Sequence, residues 1–365
     1  MKSMSNSFYG LLLRLSGRKS WGFCLLFFVA ALPAARAQVA GLSTLSVLDL
    51  PSDARSAGIG FDYVSLYDND LNISLGNPSL ITPAINNQFS LGYENMFGKF
   101  NLASAAVSRT FENIGSFTFG LKYAGYGRFE GYDEYERPTG TFVANDFLLS
   151  VGWGKAVTNR LSIGAAFKPV VSQYEAYTAL AFAVDLAATY ISRNQRFAAT
   201  LMGRNIGAQI FTFDGTGEAL PFELSLSGSY QLKEAPFRLL FALTELQTWN
   251  LRYEDPLNPS ATVDAFSGET VYRLSSFGKF ADNLGRHVQV GFEASISKIV
   301  FLRLGYNYRQ MAEMKAADAF NSAGLSFGLG VRVKGFELSY ARNNYHYMQA
   351  PNFITLSADL SRLFK

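Results

Sequence analysis

Gly324-Leu-Ser-Phe-Gly-Leu-Gly-Val-Arg-Val-Lys334-Gly335-Phe-Glu-Leu-Ser-Tyr-Ala-Arg342 decides how the chain is read. In its first half Leu325, Phe327, Leu329, Val331 and Val333 alternate with Gly324, Ser326, Gly328, Gly330, Arg332 and Lys334. Strand side chains point alternately to opposite faces, so one face is apolar and the other small or polar. Lys334-Gly335 has the length of a hairpin turn. The second half repeats the scheme, with Phe336, Leu338 and Tyr340 opposite Glu337 and Ser339. One such hairpin also fits a soluble sandwich; its recurrence along the chain does not.

The alternation begins at Gln88. It recurs at 89–93, 117–123, 147–153, 161–167, 182–190, 222–230, 237–243, 288–296, 302–308 and 354–360, with weaker strands at 100–109 and 197–206. With the opening hairpin this gives about fourteen strands, each near the length of a tilted membrane strand. Lys122, Asp185, Glu223, Arg238, Glu293, Arg303 and Arg332 all fall on the polar face. A charge on the lipid face costs roughly 2–4 kcal/mol at the midplane, so this placement supports a barrel with a polar lumen. The expected fold is an all-β, transmembrane antiparallel β-barrel of about fourteen strands. A short N-terminal helical or irregular plug segment precedes the first strand.

Connections alternate in length. Short ones fall near 112–115, 154–159, 192–196, 233–236, 297–299 and 334–335; long ones at 126–144, 169–180, 207–221, 246–285, 310–322 and 344–352. Outer-membrane barrels have short periplasmic turns and long extracellular loops. This assignment places both termini in the periplasm. It also gives two aromatic girdles: Trp153, Tyr190 and Tyr230 at periplasmic strand ends, and Tyr123, Tyr306 and Tyr340 at outer ends.

Composition agrees. Charged residues are 17% of the 365, against roughly 25% in ordinary soluble domains. Aromatic residues reach 15%, including 32 Phe and 19 Tyr. Residues 1–37 read as a signal peptide, with Lys2, Arg14, Arg18 and Lys19, an apolar run from Trp21 to Leu32, and cleavage after Ala35-Arg36-Ala37. Translation starts at Met1 or Met4. The lone Cys24 lies in this segment, so the mature chain has no disulfide or thiolate chemistry. The segment holds five basic residues and no acidic one, leaving 27 basic against 29 acidic and a net charge of −2. Nothing here forms a basic footprint for nucleic acid. Residues 38–86 form the periplasmic or plug segment, with turn signals at Asp68-Asn69-Asp70 and Asn77-Pro78, and 87–365 form the barrel.

The sequence offers no catalytic or metal-binding constellation. The only histidines are His287, on an expected lumen face, and His346, in a loop. No H-E-x-x-H or cysteine pair is present. Asp68-Asn69-Asp70 lacks the spacing of a calcium loop. Ser295-Ile-Ser-Lys298 matches S-x-x-K without its companion motifs. The expectation is therefore a non-enzyme with no cofactor and no metal. Loop 246–285 is long enough to be functional. Its aromatics Trp249, Tyr253, Phe266, Phe277 and Phe280 are the candidate partner-binding residues; a folded cap over the barrel mouth is the other reading of the same residues.

The stretch Leu48-Asp-Leu-Pro-Ser-Asp-Ala-Arg55, with Asp68-Asn-Asp70 and Asn77-Pro-Ser-Leu80, resembles the PorV/PorQ family of Bacteroidetes outer-membrane proteins. Further similar stretches are Leu220-Pro-Phe-Glu223, Ala235-Pro-Phe-Arg238, Asp255-Pro256 with Gly268-Glu269, Lys279-Phe-Ala-Asp282, Gly305-Tyr-Asn-Tyr-Arg309 with Glu313-Met-Lys315, and Asn344-Tyr-His346. Gly58-Ile-Gly60 departs from the family's more usual Ala-Leu-Gly-Gly. The Asn-Pro turn also resembles the wider FadL-like barrels. The first resemblance implies a component of the type IX secretion system that docks attachment-complex partners such as PorZ, PorU and PorV. The second implies a transporter of hydrophobic solutes. Both imply the outer membrane.

Overall fold

The computed structural model describes residues 45–61, 65–96, 98–213, 215–252, 261–263, 270–272, 275–314, 322–344 and 350–363. The signal segment 1–37, Tyr253, Phe266 and His346 lie outside the described residues.

Fourteen antiparallel strands close into a barrel. They are β1 (Gln88–Asn95), β2 (Asn101–Phe111), β3 (Gly115–Tyr132), β4 (Pro138–Thr158), β5 (Leu161–Tyr174), β6 (Tyr177–Ile191), β7 (Phe197–Phe211), β8 (Glu223–Gln231) and β9 (Phe237–Leu243), then β12 (Val288–Ile296), β13 (Val300–Asn307), β14 (Leu325–Val333), β15 (Phe336–Asn343) and β16 (Asn352–Asp359). The wall closes because β1 pairs with both β2 and β16. Between β9 and β12 lie a separate hairpin, β10 (Ala261–Val263) with β11 (Thr270–Tyr272), and a helix. Closure leaves no exposed sheet edge within the hydrocarbon layer.

The alternation sorts side chains as expected. On β13 Arg303 is 1% exposed while its neighbour Leu304 is 56% exposed. Leu325, Phe327 and Leu329 face outward, and Ser326 is buried. At the long-loop ends the Tyr93, Tyr123 and Tyr340 hydroxyls donate to Asn101, Asn145 and Asn352, each on a neighbouring strand. At the short-turn end the Trp153 indole donates to the Ile114 carbonyl at 3.1 Å.

Several expected boundaries shift. The stretches 126–144 and 169–180 are largely strand, not loop, because β3 continues to Tyr132 and β5 to Tyr174. Above the apolar belt the register shifts between Gly125 and Gly127, and both faces are exposed, Arg128 and Glu130 as well as Phe129, so the alternation fades while backbone pairing continues. The strand expected over 302–308 stops at Asn307, whose side chain accepts from the Gln310 N–H at 3.2 Å and starts helix α4 (Tyr308–Glu313). Tyr308 and Arg309 are therefore helical, not on the wall. His287 ends helix α3 (Ser276–His287), not a lumen strand. The last expected strand stops at Asp359, and Leu360–Leu363 form a helical turn, α5.

The lumen is filled by residues 45–61 and 65–87. Leu45, Val47 and Leu48 share an apolar cluster with Met96, Leu102, Leu220 and Phe353, all at the long-loop end. From there the segment descends through helices α1 (Ala54–Ile59) and α2 (Leu71–Gly76). Near the short-turn end Ser108 donates to the Ile85 carbonyl. The first described residue, Leu45, lies at the long-loop end; the termini themselves lie outside the described residues. Among the described residues no helix is long and apolar enough to cross a membrane.

Candidate functional site: a clasped plug beneath an external cap

Arg55 is the only basic residue between Arg36 and Lys99. Its position is fixed locally. Asp53 caps α1, its carboxylate accepting from the Arg55 and Ser56 N–H groups at 2.8 and 2.9 Å. Gly60 ends the helix in the left-handed region, at φ 98°. The Ala54 N–H donates to Thr355 of β16 at 2.9 Å, holding the helix against the wall.

From this helix the guanidinium reaches three carboxylates. It meets Glu293 of β12 through Nε at 3.0 Å and Nη2 at 2.8 Å, Asp70 at 2.7 Å and Asp68 at 2.5 Å. Arg238 of β9 bonds Asp68 at 2.9 Å. Arg303 of β13 bonds Glu293 at 2.9 Å and Glu337 of β15 at 3.0 Å, and Arg332 of β14 also reaches Glu337. Four guanidinium groups thus face four carboxylates across five strands and the plug. Only such mutual pairing makes buried charge tolerable. Asp70 does two jobs, since its second oxygen caps α2 by accepting from the Asn72 N–H at 2.9 Å.

Two more anchors complete the plug. Asn77 donates to Thr200 at 3.1 Å and Ser79 lies 2.6 Å from Thr189, tying the Asn77-Pro78 turn to β6 and β7. Toward the long-loop end, Lys122 donates to the Val47 and Leu50 carbonyls and Arg204 to the Leu48 carbonyl. A cavity of about 60 Å³ remains beside this outer part, reached by Ser52, Asn72, Lys122, Lys168, Asp185 and Arg204. That is far below the roughly 300–1,000 Å³ of a small-molecule site.

The loop after β9 folds into a cap. Ser275 caps α3 by accepting from the Gly278 N–H at 3.1 Å. Asp282 on α3 receives Arg252 at 3.0 Å, Arg286 at 3.1 Å and the Tyr308 hydroxyl at 2.8 Å. Arg309 on α4 bonds Glu245 and Glu313, both at 2.9 Å. Burial raises the Tyr308 hydroxyl pKa, and the Asp282 carboxylate adds to the rise. Burial alone would lower the Arg309 pKa; Glu313 and Glu245 outweigh it and hold the guanidinium above its ordinary value.

Of the five expected partner-binding residues, the cap brings Trp249 and Phe280 together, with ring centroids 5.8 Å apart. Phe277, on the same helix, is 78% exposed. His287 is buried, with Nδ1 2.7 Å from the Thr244 carbonyl and Nε2 3.0 Å from the Trp249 carbonyl. It ties the cap to the end of β9 and has no serine partner. Among the described residues no group of three His, Cys, Asp or Glu side chains is placed to hold a metal ion.

No protein-family model matches the chain, and no curated protein matches it in sequence. Solved structures do match. The toluene transporter TodX of P. putida aligns with 83% of this chain and 99% of its own, at 12% identity and a TM-score of 0.50. A deltaS2 mutant of the TodX monoaromatic hydrocarbon channel aligns with 86% of this chain and 98% of its own, at 13% identity and a TM-score of 0.51. A Pseudomonas aeruginosa FadL homologue aligns with 84% and 98%, at 10% identity and a TM-score of 0.47. At these identities the likeness shows the fold alone, a closed barrel of antiparallel strands.

Proposed function

We propose that the chain is a non-enzymatic outer-membrane scaffold that works with its lumen closed and presents its long-loop end to protein partners. The observation that carries this is the filled lumen. The plug is ion-paired to the wall through Arg55, and the cavity beside its outer part holds only about 60 Å³. A barrel so occupied has its accessible chemistry on its outer loops, where the cap presents Trp249, Phe277 and Phe280. The partner class this reading takes is the one the resemblance to the PorV/PorQ family implies, attachment-complex proteins of type IX secretion similar to PorZ, PorU and PorV. The test is recovery of partners with the tagged barrel from native membranes. Deleting 250–280 is expected to abolish recovery and leave the barrel heat-modifiable on gels. Unchanged recovery sinks the docking role.

A second reading is a conduit for hydrophobic solutes. The fold likeness to a toluene transporter and a hydrocarbon channel favours it, and speaks for it more directly than for secretion. It requires the plug to move, because the plug occupies the lumen and is bonded to the wall through Glu293, Arg238, Lys122 and Arg204. Solute uptake by reconstituted wild-type barrel is its test; a silent barrel rejects it.

A further inference from the structure

The short-turn rim is basic around most of its circumference. Lys155, Arg193, Lys233, Lys298, Lys334 and Arg362 are all exposed there, and five of the six turns carry or flank at least one of these or Arg160 and Arg196. Against these eight cations the rim holds three acids, Glu112, Glu234 and Asp359. Two of the acids are already paired, Glu234 with Lys233 at 3.7 Å and Asp359 with Arg362 at 2.9 Å. Lys155, Arg193, Lys298 and Lys334 make no ion pair among the described residues. The long-loop end, with Glu130, Asp133, Glu134, Glu136 and Glu175 at its tall hairpins, shows no such excess.

We infer that this rim is a collar for the phosphate headgroups of the periplasmic leaflet, with preference for anionic phospholipid. Three observations select lipid over a soluble acidic partner. The cations are spread one or two per turn around the wall, where no single protein face reaches them all. Lys155 lies on the lipid-facing row of β4, two residues beyond Trp153, so its stem lies along hydrocarbon and its ammonium reaches the headgroup level. Trp153 and Tyr190 mark that interface from the apolar side. Basic groups at a membrane surface attract anionic lipid over about a Debye length. The collar is independent of both readings of function, since neither uses the short-turn rim.

The test compares wild-type barrel with a combined Lys155→Gln, Arg193→Gln, Lys298→Gln and Lys334→Gln variant, both confirmed folded by heat-modifiability. Each is reconstituted in phosphatidylcholine vesicles doped with phosphatidylglycerol, and spin-labelled lipids report how strongly each headgroup associates with the protein. Wild type is expected to favour phosphatidylglycerol about threefold, given the attraction of each basic residue for an anionic surface. The preference should vanish in the variant, and also in wild type at about 1 M salt, where the screening length is about 3 Å. Equal preference in both proteins, or none in wild type, overturns the inference. So does soluble polyglutamate binding that the variant loses while lipid preference stays flat, which would assign the collar to an acidic protein.

Discussion

Glu293 on β12 takes the Arg55 guanidinium side-on, with two parallel bonds of 3.0 and 2.8 Å. One partner belongs to the wall and the other to a six-residue helix inside it. The pair therefore decides whether the plug is part of the barrel or a guest in it. Bidentate geometry is the strong form of this contact, and lysine cannot reproduce it.

Arg55→Met should leave Asp68, Asp70 and Glu293 buried beside each other with less compensation. Removing one member of a buried ion cluster costs on the order of 3–5 kcal/mol. The barrel, held by fourteen paired strands, should still form. The plug should not stay seated. Planar-bilayer recordings should show larger conductance for the variant than for wild type, and protease should cut between residues 45 and 87. Arg55→Lys should fall between the two. Wild-type conductance from Arg55→Met would mean that the clasp does not hold the plug.

Where the plug backbone touches the wall, the wall has glycine. A Cβ on Gly305 of β13 would lie 1.9 Å from the Ile59 carbonyl oxygen, and one on Gly164 of β5 would lie 2.1 Å from that of Pro78. Neither neighbour is a side chain that can swing away. Gly305→Val should displace α1, at a cost of roughly 1–3 kcal/mol typical of overpacking. The Gly217→Ala control, where no atom lies within 4 Å, should be silent. The readout is again conductance with retained heat-modifiability; a Gly305→Val barrel as tight as wild type would show that the contact is not a seat.

The barrel was legible in the sequence because its signal is periodic. Each strand repeats the same apolar row, and lipid enforces it on every second residue from Leu325 to Val333. The signal stopped where lipid stops. Above Tyr123 the register shifts between Gly125 and Gly127, and β3 continues with Arg128 and Glu130 as exposed as Phe129, so no single apolar row is left to read. The plug clasp was hidden for another reason. Arg55 pairs with Glu293 across 238 residues of sequence, and no local rule joins them. One trace was available: a lone arginine in a stretch that also holds Asp53, Asp68 and Asp70. At the foot of the cap, alternation runs on through Tyr308, yet the strand ends at Asn307, whose side chain starts a helix.

Asp282 is the hub of that cap, receiving Arg252, Arg286 and Tyr308. Asp282→Ala leaves the mostly shielded Arg252 without its carboxylate, leaves Arg286 only Glu313 at 3.8 Å, and removes the Tyr308 bond, one of the two polar links between α3 and α4. The loss should be local, because the strands below make no bond to Asp282. Limited proteolysis should cut helix α3 (Ser276–His287) of the variant well before that of wild type, with an unchanged gel shift for the barrel. If the scaffold reading holds, partner recovery should fall as well. Equal protease resistance would show that the α3–α4 packing, with Gly285 against the Tyr308 ring, suffices on its own.

Leu329 tests the premise on which both functional readings stand. It is 44% exposed in the isolated chain, midway along β14, and flanked on neighbouring strands by Leu302 and Tyr340. If acyl chains cover it, Leu329→Arg must move a guanidinium into hydrocarbon, costing roughly 2–4 kcal/mol near the midplane. If water covered it, the change would cost almost nothing, since surface substitutions usually stay within about 0.5 kcal/mol. Val333→Arg, at the short-turn end of the same row, should cost about 0–1 kcal/mol, the value near an interface. Urea titration of barrels folded into vesicles gives both numbers from one protein. A depth-dependent penalty places this row in the membrane; a flat, small response at both positions would remove the lipid belt, and with it the inside and outside of the molecule.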